Sequence, residues 1–124
     1  MRGNDIHKRL FDFGVSVLKF LPKLPKTQEF SIIRYQLAKS STSAGANYEE
    51  AQAGSSRIDF NNKVRIALRE MRESIYWLRM IKAVITKAEF SDELNNLIEE
   101  SYQLKNILGA IVTKTRGDNK IQGT

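Results

Sequence analysis

Apolar side chains recur along this chain with a helical beat. Ile6, Leu10, Phe13, Val17, Phe20 and Leu24 are separated alternately by four and three residues. Phe30, Ile33, Leu37, Ala44, Tyr48 and Ala51 keep the same rhythm, with Ser40 or Ser41 at the vacant step. A third series runs Phe60, Val64, Ala67, Met71, Ile75, Leu78 and Ile85, with Lys82 at its vacant step. A fourth runs Leu94, Leu97, Leu104, Leu108 and Ile111, where Ser101 holds the strict register and Tyr102 stands one residue beyond it. Spacings averaging about 3.5 place each series on one stripe of an α-helix. No stretch alternates convincingly with period two, so the pattern predicts no strand.

Breaks in the pattern coincide with turn and cap chemistry. Pro22 and Pro25 bracket the first, Gly54-Ser55-Ser56 marks the second, Lys87 to Ser91 the third, and Gly117 ends the last segment. Asn4 or Asp5 suits the start of helix one and Thr27 that of helix two. Ser56 with Asp59 resembles a capping box for helix three, and Ser91 with Asp92 and Glu93 opens helix four with acids at the positive end of the helix dipole. Gly54 and Gly117 fit the left-handed position that follows a helix end. Short connections make neighbouring helices antiparallel. The predicted architecture is all-α: an up-down-up-down four-helix bundle over residues 1–115, followed by a flexible tail at 116–124. Helices two and three are each expected to run for roughly 28 residues, about 40 Å.

Two local features leave alternatives open. The run Ser40-Ser41-Thr42-Ser43-Ala44-Gly45-Ala46 has poor helix propensity. It reads either as a close-packing surface in a continuous helix or as a kink near Gly45. Helix three carries a second apolar stripe of Ile66, Trp77, Met80 and Val84, with Glu70 and Glu73 between, roughly 100° or more from the core stripe. Either the core face is wide and Trp77 half buried, or this stripe meets another subunit. In the second case Ile66, Glu70, Glu73, Trp77 and Met80 line an oligomer interface. The two carboxylates then need basic partners or helix caps, because an unpaired buried charge is costly.

Composition narrows the chemistry. The chain has 124 residues, no Cys and one His. Disulfides, Cys-ligated zinc, iron–sulfur clusters and thiol catalysis are thereby removed. His7 stands outside any Glu-x-x-His pair, so a di-iron bundle site is not indicated. No phosphate-binding loop, dinucleotide loop or nucleophile–His–acid set is present. No apolar run approaches a membrane span, and the charged stretch Met1 to Leu10 lacks a signal-peptide core. The expected address is the cytoplasm. The expectation is a non-enzyme with no catalytic residue, metal or cofactor.

Several blocks in helices two and three resemble a known family. These are Ser43-Ala44-Gly45-Ala46-Asn47-Tyr48-Glu49-Glu50-Ala51-Gln52, then Ser56-Arg57-Ile58-Asp59-Phe60 with Lys63, then Ile66-Ala67-Leu68-Arg69-Glu70, and Glu73 through Tyr76-Trp77-Leu78. In this order and spacing they are similar to the bacterial four-helix bundle proteins, also called the 23S rRNA intervening-sequence protein family. Phe20-Leu21-Pro22-Lys23 also looks like the family's F-P-K, with Leu21 inserted. The resemblance spans roughly residues 10 to 112. It implies a four-helix bundle that assembles as a homo-oligomer, typically a pentameric ring, in a family for which RNA binding is a suggestion. By position, Asn47, Glu50, Asp59, Lys63, Glu70 and Glu73 match the family's recurrent polar residues, while Met71 stands where a smaller residue is expected.

Charge supplies the remaining signal. The chain carries a formal +6, unevenly spread. Residues 1–26 hold six bases and two acids, and residues 56–88 hold eight bases and three acids. Arg65, Arg69, Arg72 and Arg79 fall within about 80° on a third side of helix three. Such a row suits phosphate contact and also suits a solvated face. Two functions follow: a homo-oligomer that associates with RNA or another nucleic acid through basic helix-three and N-terminal surfaces, or a structural adaptor whose partner is a protein.

Overall fold

The computed structural model describes the backbone of residues 3–54, 56–86 and 88–123, and the side chains of 6–54, 56–86 and 88–115. Four helices follow in order: α1 (Gly3–Phe20), α2 (Gln28–Gln52), α3 (Arg57–Val84) and α4 (Ser91–Gly123). Short 3-10 turns at Leu21–Lys23 and Ala88–Phe90 join α1 to α2 and α3 to α4. No strand occurs among the described residues.

Cross-helix contacts fix the directions. His7 of α1 pairs with Glu49 of α2, the Gly45 backbone lies beside Leu10, and the Gly14 backbone beside Ser41. As one residue number rises, the other falls, so α1 and α2 are antiparallel. Ser40 meets Ser74, and Gly54 lies against Asp59 and Phe60, which makes α2 and α3 antiparallel too. Arg9 reaches Glu100 and Lys23 reaches Glu93, so α4 opposes α1. The up-down-up-down order of the bundle follows.

The apolar stripes meet in one core. Leu10, Val17 and Phe20 of α1, Leu37 and Ala44 of α2, Val64, Met71 and Leu78 of α3, and Leu94, Leu104 and Leu108 of α4 are almost wholly buried. Met71 is accommodated in full. Both Ser40 and Ser41 are buried at the vacant step of α2, and Ser101 is buried while Tyr102 is exposed. At two places the stripe departs from the expected register. Ile81, not Lys82, fills the vacant step of α3, and Val112 is more buried than Ile111 in α4. Ile81 stands one heptad after the buried Ser74, on the α2 side of a core face widened because α3 packs on both α2 and α4. In α4, by contrast, a helix of about 3.6 residues per turn carries a strict 3.5-residue rhythm past Ile111 toward Val112.

The small-residue run is a close-packing surface in an unbroken helix. A Cβ built on Gly45 would sit 3.5 Å from the Leu10 carbonyl oxygen, and one on Gly14 3.5 Å from that of Ser41. The hydroxyls do not strand their hydrogens. Thr42 donates to the Ala38 carbonyl at 2.7 Å, and Ser74 donates to that of Glu70 at 3.0 Å. Ser40 and Ser74 also share a hydrogen bond across the α2–α3 seam, at 2.8 Å. Tyr48 is buried on α2, and desolvation holds its phenol above the usual 10.0, outweighing a hydrogen bond with Gln52.

The helix ends agree in part with the expected caps. Thr27 accepts from the Phe30 amide at 3.2 Å and Ser56 from that of Asp59 at 3.1 Å. Each such cap contributes about 1 kcal/mol. Helix two, at 25 residues, is shorter than expected, and α3 has the expected 28. Gly54 is not left-handed, since no described glycine has a positive φ. Its value is closeness: a Cβ there would lie 3.2 Å from the Ala51 carbonyl oxygen. Nor does Gly117 end helix four, whose backbone continues to Gly123. The side chains of 116–124, the expected flexible tail, and of Asn4 and Asp5, the expected caps, lie outside the described residues.

Candidate functional site

The outer side of α3 presents Arg65, Arg69, Arg72 and Arg79 to solvent. They lie on the face opposite the α2 seam, because α3 turns its Ser74 edge to Ser40. None of the four forms an ion pair with a described residue. Three basic residues of the first segment behave differently, although Lys19 and Lys26 form no ion pair with a described residue. Lys8 pairs with Asp12 at 2.6 Å, Arg9 with Glu100 at 2.7 Å and Lys23 with Glu93 at 2.8 Å. The Arg9 guanidinium is bidentate, its Nε donating to the second Glu100 oxygen at 2.9 Å, so it fastens α1 to α4. Positive charge available to an outside anion is thus concentrated on α3 more than on the N-terminal surface.

The second apolar stripe lies on another flank of the same helix. Trp77 and Met80 are half buried and pack against the chain's own core, Ile66 is half buried, and Val84 is half exposed. Within one chain, the wide core face accounts for part of this stripe. Glu73 finds no Arg; its carboxylate accepts from the Trp77 indole at 3.0 Å, one helical turn away. Glu70 and Glu73 form no ion pair with a described residue.

The other polar positions do not converge. Asn47 donates to the Ser43 carbonyl at 2.9 Å within its own helix, which is a structural use. Glu50 and Asp59 are exposed and Lys63 is half buried, on two helices. Among the described residues no three His, Asp or Glu side chains gather as metal ligands would.

Two features stand outside the candidate site residues read from sequence. One is a groove of about 760 Å³ between α1 and α2, with apolar walls that include Phe11, Val15 and Ala46. Two helices brought close by glycines leave such a furrow, but sequence does not say which faces will flank it. The other is Tyr76, 51% exposed in the middle of the arginine face. Its signal is legible: positions 65, 69, 72 and 79 leave a vacant helical step at 76.

The family model described as 23S rRNA-intervening sequence protein matches residues 2–110. The chain belongs to the 23S rRNA-intervening sequence protein family. A solved structure from Bacteroides thetaiotaomicron, described as a protein of unknown function from the S23 ribosomal protein family, is similar to it at 31% identity. The likeness covers 86% of this chain and 97% of that one, with a TM-score of 0.72. No curated protein matches the chain. Membership in the 23S rRNA-intervening sequence protein family accords with the four-helix bundle and the ordered blocks along α2 and α3. Among the described residues no helix is long and apolar enough to cross a membrane.

Proposed function

We propose that this chain is a non-enzymatic, homo-oligomeric bundle of the cytoplasm that associates with RNA through the arginine face of α3. The observation that carries the reading is the asymmetry of charge use. Lys8, Arg9 and Lys23 have acidic partners, whereas Arg65, Arg69, Arg72 and Arg79 point outward without one among the described residues. Arginine's planar fork suits phosphate oxygens, and a row of such forks tracks a phosphate backbone. A family named for rRNA intervening sequences supports RNA as the polyanion. Self-association, as a pentameric ring, rests on the flank holding Ile66, Glu70, Glu73, Trp77 and Met80. That flank lies on a different side of α3 and leaves the arginines uncovered.

The test is filter binding of rRNA fragments across a salt series, with subunit number measured by light scattering. Affinity should fall steeply with salt, and Arg69→Glu with Arg72→Glu should weaken binding across sequences and flatten the salt slope by about two units. Salt-independent binding would discard the reading. The adaptor reading is favoured by a different observation, the 70% exposure of Phe11 at the α1–α2 groove. A chain that ignores RNA but whose protein partner is lost on Phe11→Asp would be such an adaptor.

A further inference from the structure

Tyr76 completes the arginine row. At about 100° per residue, Tyr76 falls between Arg65 and Arg69 in angle, with Arg72 and Arg79 on the other side. The five positions 65, 69, 72, 76 and 79 form one stripe about 21 Å long. Its ring is half exposed, yet it is not a loose surface aromatic. It packs edge-on against Trp77, with centroids 5.0 Å apart and planes at 81°. Trp77 is in turn tied to Glu73 by its indole N–H. The platform is therefore held before any ligand arrives, which lowers the entropy lost on binding.

Four cations alone would serve any phosphate backbone. An aromatic ring set among them adds a face on which an unstacked base can lie. In a duplex the base faces are already covered by neighbours; in a single strand or a loop they are open and stack on protein aromatics. Resting on the proposal that α3 binds RNA, we infer that its ligand is an unpaired RNA segment lying along α3, with phosphates on Arg65, Arg69, Arg72 and Arg79 and one base stacked on Tyr76.

The inference is tested with two labelled RNA probes of equal length, an unstructured oligouridylate and a perfect duplex, by fluorescence anisotropy. Tyr76→Ala should weaken binding of the single strand about fivefold or more and leave the duplex unchanged. Because it removes no phosphate contact, the salt slope should stay as it was. Tyr76→Trp, which keeps a stacking face, should bind the single strand at least as well as wild type. Arg69→Glu with Arg72→Glu should weaken both probes. Trp77 is the only tryptophan and touches the platform, so the unmodified protein carries its own reporter. Its emission should change on saturation with the single strand and not with the duplex. If both probes bind and Tyr76→Ala affects them equally or not at all, the stacking platform is refuted while RNA association stands. If neither probe binds in a salt-dependent way, RNA association and the platform fall together.

Discussion

Asn61 sits in the second turn of α3, only 3% exposed, and neither its Nδ2 nor its Oδ1 has a hydrogen-bond partner among the described residues. A buried polar group left unsatisfied costs about 1–3 kcal/mol. Leucine has nearly the same reach and no polar atom, and it belongs to the same face as the buried Leu68 one heptad later. Asn61→Leu removes the desolvation cost and adds apolar burial, while imperfect fit returns up to about 1.5 kcal/mol. The net expectation is a gain in stability of about 1–3 kcal/mol. Urea unfolding at one fixed protein concentration measures it, since self-association would make the midpoint concentration-dependent. The midpoint should rise with the slope unchanged. Asn61→Asp should move it the other way, because an unpaired carboxylate in this position is costlier than an amide. A leucine variant less stable than wild type by about 1 kcal/mol or more would show that the amide has a partner, and the reasoning would be wrong.

Two further expectations test the helices more simply. Nothing lies within 4 Å of a Cβ built on Gly109, which sits inside α4, so Gly109→Ala should stabilise the bundle by about 1 kcal/mol through helix propensity alone, read as a higher urea midpoint. Tyr48 gives a pH signature, because its folded-state pKa lies above the usual 10.0. Below that value both states keep the phenol proton; above it the unfolded chain loses the proton first, so this residue makes stability fall as pH rises. Tyr48→Phe should lose stability less steeply than wild type above about pH 10, and parallel curves would refute the assignment.

The positions of the four helices were legible because burial selects apolar side chains at a helical period. Thr27 and Ser56 were legible as caps because a hydroxyl before an apolar run satisfies amides that nothing else reaches. The misreadings differ in origin. Lys82 obeyed the spacing, but α3 packs on two neighbours and buries Ile81, one heptad beyond Ser74, on its α2 side. Ile111 obeyed a 3.5-residue count, while α4 turns at about 3.6 and brings Val112 inward. Gly54 suggested a left-handed cap because glycine tolerates one, whereas its closeness to Asp59 and Phe60 at the start of α3 is a matter of spacing between chain segments.

For the candidate site, the arginine row could be placed on one side of α3 from spacing alone, since a single helix fixes the angles between its own residues. Whether those arginines are paired could not be read that way. Arg9 and Lys23 look as free in sequence as Arg65 or Arg72, yet Glu100 and Glu93, 91 and 70 residues distant, neutralise them. Ion pairing between helices depends on which faces the bundle brings together. Local periodicity decides the rods and their greasy sides, because it acts within a few residues along the backbone. Packing decides which charges remain to meet a partner, because only there do residues far apart in the chain come within reach of one another.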